Sequence, residues 1–407
     1  MIDLSTYIPQ RISTPARRFL SATALSGLGN GVFSVILQLY LISLGFSGSQ
    51  LGSIFMWSSI GQLFLTIPAG VLADRYGVKP VILFGFIVTG ISMGIMLTGR
   101  TLFMFSVAWL LLGVGNSTGS VFGPLFSSLF DPDDLARAFG LQGGINIAST
   151  AIGSLFGLIP PLLVSRAGFT LTRSYWSMLL IGVVFFVVQL PMYYSVLTLA
   201  DIKKPEEKKS RILRSRGVVV KFSILYTIQN LAYGAFIGLF PFYVNKKYGV
   251  ESGALGVLFF AVQLIRAVVN FGSPKIADRY GSVRTITASI AGTVPFWLLF
   301  TWAPSFAWVS LIYIARMAVA SISNPLMPSL FYRILYEDEK ATANSITQTS
   351  SMVSNIIAPR LGGHMMENIH LESTAVMGAG LYALYSASVY LLLRNEKPKN
   401  GTEVPLD

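Results

Sequence analysis

The sequence predicts an all-α membrane protein, with twelve transmembrane helices in two pseudo-symmetric six-helix bundles. Three observations carry this expectation. The 407 residues are 53% hydrophobic and only 12% charged, about half the charged fraction with which a soluble domain solvates its surface. Twelve apolar stretches follow one another, each at or above the ~20 residues that a helix needs to cross hydrocarbon. The chain also matches itself when shifted by 204 residues.

The stretches cover roughly 17–44, 49–73, 78–99, 102–129, 136–164 and 172–198, then resume at 217–245, 251–274, 284–303, 305–332, 341–366 and 372–393. A transmembrane β-barrel would show stretches of ~10 residues with alternating polarity, and none is visible. The first 16 residues are polar and lack a cleavable-signal pattern, so the first helix is expected to stay as an anchor.

The repeat is read from residues at one constant offset. LGFSGSQLGSIF at 44–55 falls on YGVESGALGVLF at 248–259, and ADRYG at 73–77 then falls without a gap on ADRYG at 277–281. Pro124 falls on Pro328. Such matches at equivalent topological points indicate duplication. Six helices per half return the chain to its starting side, which makes the halves parallel repeats about an axis along the membrane normal. The expected organisation is a bundle at 1–198, a charged linker at 199–216 and a second bundle at 217–407, with the linker as a solvated tether.

The formal net charge is +12, and its distribution reads as topology. Of the 30 Lys and Arg, 22 fall in one set of loops plus both termini, and five (Arg100, Arg166, Arg173, Lys246 and Lys247) on the other side. The positive-inside rule then places both termini and the linker in the cytoplasm. No basic face with interleaved aromatics lies outside the membrane, so nucleic acid is not an expected partner. The bilayer is. With no cysteine, disulfides, thiolate metal sites and cysteine nucleophiles are excluded.

The second stretch ends in Gly70-Val-Leu-Ala-Asp74-Arg75-Tyr-Gly77-Val-Lys79. This resembles the signature of the major facilitator superfamily, G-x-L-a-D-r-x-G-r-k, with Val78 in place of a basic residue. The second half carries a degenerate copy, Pro274-Lys275-Ile-Ala-Asp278-Arg279-Tyr-Gly281-Ser-Val-Arg284. The resemblance covers the whole chain and implies a secondary transporter working by alternating access on a small-molecule substrate, with no cofactor or metal. It also implies a gating role for Gly70, Asp74, Arg75, Gly77, Lys79, Asp278, Arg279 and Gly281. Gly70 would let another backbone approach, and Gly77 would permit a sharp turn. Asp74 would face the start of the eleventh helix near Ala341 and Thr342, and Arg75 would meet Asp131, Asp133 or Asp134. By the repeat, Asp278 would face the start of the fifth helix, and Arg279 would meet Glu337, Asp338 or Glu339.

In transporters built from repeats the substrate lies near the midplane, so polar residues at mid-helix depth are the candidates. These are Asn30, Gln62, Asn116, Asn146, Asn230 and Asn324, with Gln348 and Asn355 in the eleventh helix. Amides of this kind also bond helices to one another. Arg266 and Arg316 stand apart, because an arginine at the midplane costs about 2.5–3.5 kcal/mol on the insertion scale. No Asp or Glu lies at comparable depth, and a carboxylate or phosphate on the substrate would match the guanidinium fork. Arg360 and His364 lie late in the eleventh stretch, toward the outer interface.

Two transport readings stand side by side: carriage of a small organic anion, and drug-type export of lipophilic compounds. The second draws on Gly144, Gly153, Gly157 and Pro160, a partial match to the antiporter pattern G-x8-G-x3-G-P, and is opposed by Trp109, where such exporters resemble one another in carrying arginine. A reading of another class, a non-transporting receptor or scaffold, also fits the fold. An enzyme does not, since two His, no Cys and no midplane carboxylate assemble no nucleophile–base pair. Coupling to an ion is left open, and one chain already holds both halves, so a monomer is expected to function.

Overall fold

The computed structural model describes residue 9 and residues 11–131, 134–199, 213–336 and 339–396; most of the linker lies outside them. The described residues form helices and no strand. Among the described residues, eleven helical segments are long and apolar enough to cross a membrane. The twelfth, Lys340–Asn368, has 29 residues and would span about 43 Å at 1.5 Å per residue. It is set apart by its composition, because Thr, Ser, Asn and Gln fill most positions from Thr342 to Asn355. Such a helix suits polar surroundings and not lipid contact.

Two compact units emerge, and neither is continuous in sequence. The first draws on 1–46, 57–207 and 251–264, the second on 47–56, 208–250 and 265–407.

The first unit contains α1 (Thr14–Ser43), most of α2 (Gly48–Tyr76), α3 (Val78–Thr98), α4 (Leu102–Asn116), α5 (Phe122–Ser127), α6 (Leu135–Ser154), α7 (Ile159–Ala167) and α8 (Leu171–Leu199). Ser13 caps α1 by accepting from the Ala16 N–H at 3.3 Å, with Pro15 beside it in the first turn. Short 3₁₀ turns at Ser117–Val121 and Leu155–Leu158 break the fourth and fifth segments. An aromatic cluster fills one end of this unit, where Phe19 lies 4.9 Å from Phe126 and 5.4 Å from Tyr193.

The second unit contains α9 (Arg216–Phe236), α10 (Phe240–Tyr248), most of α11 (Ser252–Tyr280), α12 (Ser282–Trp302), α13 (Phe306–Ser321), α14 (Ser323–Ile334), α15 (Lys340–Asn368) and α16 (Ser373–Leu393). Its core is also aromatic: Phe236 lies 5.0 Å from Tyr243, 5.2 Å from Phe300 and 5.5 Å from Trp297.

The duplication is visible in each unit's internal packing. In the first, α1 packs on α6 and α8 while α3 packs on α4 and α8. In the second, α9 packs on α15 and α16 while α12 packs on α13 and α16. Backbone conformation repeats as well. Positive φ occurs at Gly45 and Gly249, and at Gly77 and Gly281 (91° and 83°), two pairs at the 204-residue offset. The second pair turns the chain from α2 into α3 and from α11 into α12, in a region that only glycine adopts without strain.

The exchanged pieces are fastened by small residues. Ser252 and Ser154 hydroxyls donate to the carbonyls of Gly157 (2.8 Å) and Gly256 (3.1 Å), holding the start of α11 in the first unit. In the second unit, Glu367 accepts from the Ser49 N–H at 2.9 Å and the Ser47 hydroxyl at 2.8 Å, which caps the start of α2.

Candidate binding cavities in the two units

The second unit encloses a cavity of about 220 Å³ that brings together four of the residues singled out by sequence: Asn230 of α9, Arg266 of α11, Arg316 of α13 and Asn324 of α14. Gln229 and Tyr233 of α9 share it. The break between α13 and α14 at Ile322, along one wall, has a chemical cause. Pro325 lacks an N–H and frees a carbonyl of the preceding turn, while Ser321 and Ser323 donate to the carbonyls of Met317 (2.6 Å) and Ala320 (2.8 Å), a pattern that bends helices. Asn230 Nδ2 donates to the Tyr226 carbonyl at 2.8 Å, which leaves its amide oxygen for the cavity.

Arg316 is the least ordinary side chain here. It is 1% exposed, and its guanidinium carbon lies 4.4 Å from the Trp297 ring centroid and 5.2 Å from that of Tyr382. Nη1 donates to the Met317 sulfur at 3.2 Å. Nε and Nη2 are buried and have no hydrogen-bond partner among the described residues. These two nitrogens form one edge of the guanidinium, the fork that receives a carboxylate or phosphate in bidentate fashion. Ring faces recover up to about 2 kcal/mol for a desolvated cation, less than the several kcal/mol that taking an ion out of water costs. No Asp or Glu lines the cavity.

The indole is itself held in place. Trp297 is fully buried on α12, lies 5.1 Å from Tyr382, and occupies the space beside Gly378 of α16, where a Cβ would strike its ring. Sequence reasoning missed Trp297, Tyr382, Tyr233 and Gln229. An aromatic on a different helix from the arginine leaves no spacing signal, although Gln229, an amide beside Asn230, could have been found.

The first unit has its own cavity, of about 340 Å³, where Asn30 of α1 and Asn116 of α4 meet four phenylalanines, Phe33, Phe86, Phe122 and Phe186. Gln189 of α8 lies here too and accepts from the Ser26 hydroxyl; this mid-segment amide was also legible and missed. At the repeat offset Arg316 falls on Leu112, which lines this cavity, and Arg266 on Gln62, which does not. Asn146 stands on α6 outside both cavities. The positive charge thus belongs to one unit's cavity alone. Gln348 is exposed and Asn355 half-buried on the polar α15. Arg360 and His364 are exposed near its end, His364 beside Asn368.

The motif residues sit at the helix ends. Arg75 and Arg279 are exposed, each over the ring of the next tyrosine at 5.3 and 5.2 Å. Asp278 is exposed, and Lys79 lies 5.2 Å from the Tyr194 ring. Gly77 and Gly281 make the expected turns. A Cβ at Gly70 would meet no heavy atom of the described residues within 4 Å. Asp134 pairs with Arg137 at 2.9 Å, and Glu339 accepts from the backbone N–H groups of Arg214 and Ser215, fastening the start of α9. The Asp74 and Ala341 side chains, with Asp133, Glu337 and Asp338, lie outside what is described.

Comparison with known proteins agrees with this architecture. The sequence profile described as Major Facilitator Superfamily matches residues 19–359 and 222–407. The tetracycline resistance protein, class H, of Pasteurella multocida is 22% identical over 408 residues, covering 95% of this chain and 98% of that one. The quinolone resistance protein NorA of Staphylococcus aureus (strain MSSA476) is 21% identical over 384 residues, covering 91% and 94%. Among solved structures, the nucleoside transporter NupG superposes with a TM-score of 0.73 at 14% identity, over 94% of this chain and all of that one. The chain is a multi-pass membrane transporter with a small-molecule substrate, not an enzyme, and it belongs to the major facilitator superfamily.

Proposed function

We propose that the protein carries a small organic anion across the cytoplasmic membrane by alternating access, and that the cavity around Arg316 receives the anionic group. The observation that carries this reading is the Arg316 fork, buried on two aromatic faces with Nε and Nη2 unpartnered. In the proposed site Arg266 adds a second cation, while Asn230 and Asn324 bond polar groups of the substrate. Met317 is the flexible side chain best suited to yield when the fork is occupied. We place both termini and the linker on the cytoplasmic side, assign 1–198 and 217–407 as the two moving bundles, and take the monomer as functional. The repeated turns at Gly77 and Gly281 support a gating role for the two motif copies. Absence of carboxylates from both cavities favours exchange or facilitated diffusion over coupling through a buried acid.

Drug-type export is the second reading. Its support is the phenylalanine-lined cavity of the first unit together with relatives named for tetracycline and quinolone resistance. Exchange in proteoliposomes separates the two. Labelled carboxylates and organic phosphates are loaded on one side, and counter-substrate is added on the other. Anion exchange that Arg316→Gln abolishes supports anion carriage. Uptake of lipophilic cations that ignores Arg316→Gln, with no anion exchange, supports export.

A further inference from the structure

At the far end of the second unit lies a separate, open cavity of about 540 Å³, between the end of α11, the start of α12 and the junction of α13 with α14. Two kinds of surface line it. Ile276, Ala288, Val319 and Ile322 are apolar, whereas Arg279 and Arg284 bring exposed guanidinium groups. α12 begins here at Ser282, and its cap Gly281 offers no side chain to the first turn. The helix's first backbone bond, from the Thr285 N–H to the Gly281 carbonyl, leaves the three preceding N–H groups without intrahelical partners. A helix N-terminus in that condition attracts anions.

A second observation is independent of the helix end. Thr285 also lines the cavity, is 6% exposed, and has an Oγ1 with no hydrogen-bond partner among the described residues. The duplication provides an internal comparison. At the repeat offset Arg279 falls on Arg75, but Arg284 falls on Pro80 and Thr285 on Val81, so the first turn of α3 lacks the guanidinium and hydroxyl that α12 carries. The Arg284 and Thr285 pair therefore belongs to one copy alone, and the turn itself does not require it.

We propose that this cavity is a binding site for an anionic phospholipid. The phosphodiester sits between Arg284, Arg279 and the first turn of α12 and accepts from the Thr285 hydroxyl, and an acyl chain covers the apolar wall. Basic pockets between helices at a membrane's charged face recognise anionic head groups in this way. A free phosphate would use the same donors but not the apolar wall, and this difference sets the test.

The full-length protein in detergent is titrated with phosphatidylglycerol, phosphatidylcholine or inorganic phosphate while its melting temperature is followed. Lipid retention is read by native mass spectrometry. Phosphatidylglycerol is expected to stabilise the wild type beyond phosphatidylcholine. Arg284→Gln should bind it about fivefold more weakly, the factor that one surface cation contributes. Thr285→Val should weaken binding too, Arg284→Lys should largely restore it, and Lys246→Gln, on α10 beside the far end of α12, should leave it unchanged. Equal stabilisation of Arg284→Gln and wild type would overturn the proposal. So would full stabilisation by inorganic phosphate, or an equal loss in Lys246→Gln.

Discussion

The guanidinium carbon of Arg316 lies 4.4 Å from the centroid of the Trp297 indole, so the buried cation of the second unit rests on a ring face instead of a carboxylate. That arrangement spends one face of the guanidinium on aromatic contact and leaves its edge for hydrogen bonds. The ring in turn depends on Gly378, whose missing side chain gives it room.

Gly378→Ala should therefore act on Arg316 without touching it. A Cβ at 378 must displace the indole, and the guanidinium moves with its support. Anion affinity is expected to fall about tenfold, which corresponds to about 1.4 kcal/mol. Titration of the purified variant checks this, with Gly380→Ala on the same helix as control, since a Cβ there meets nothing within 4 Å.

The glycines of the first motif copy should respond in opposite directions. Gly77, with φ 91° and ψ 163°, stands in a region that costs other residues about 1–3 kcal/mol, so Gly77→Ala should lower the melting temperature. Gly70 lies within α2 with open space around its missing Cβ. Gly70→Ala should raise stability by about 0.5–1 kcal/mol, the usual gain for alanine over glycine in a helix interior. Melting curves of the two variants settle the matter.

An acid-sensitive ion pair lies at the edge of the second unit. Burial pushes the Glu372 carboxyl up, but the Lys247 ammonium, 2.8 Å away, together with its charge outweighs this and holds the group below its ordinary 4.5. A lowered folded value means that the pair's contribution is complete above the unfolded value and is lost as pH falls through the folded one. His370 Nδ1 also contacts the Glu372 carboxylate, and melting temperature should drop as the pair is protonated below about pH 4.5. Glu372→Gln should flatten that acid limb. An unchanged limb would show that other groups produce it.

Much of the architecture was legible in the sequence because a bilayer imposes length and polarity on every segment. The repeat was legible because turns such as Gly77 and Gly281 need glycine. The eleventh segment was placed by its length and its position in the repeat, and its polar run from Thr342 to Asn355 explains why composition alone passes over it. The pairing of Arg266 with Arg316 in one cavity was not legible, since it depends on how α11 and α13 lie side by side around that cavity. Depth along a helix can be counted from sequence, but azimuth in a segment that is apolar on most sides cannot. For the same reason Gln62 and Asn146 qualified by depth, yet line neither cavity.

The most direct test of the account is ligand-dependent thermal stabilisation of wild type and Arg316→Gln with a panel of carboxylates, organic phosphates, lipophilic cations and neutral sugars. A ligand at 100 times its dissociation constant adds about 2.7 kcal/mol when it binds only the folded state. The account predicts that at least one anion stabilises the wild type to this extent and that Arg316→Gln, folded and otherwise as stable, loses the response. Stabilisation by lipophilic cations alone, equal in both proteins, would contradict it.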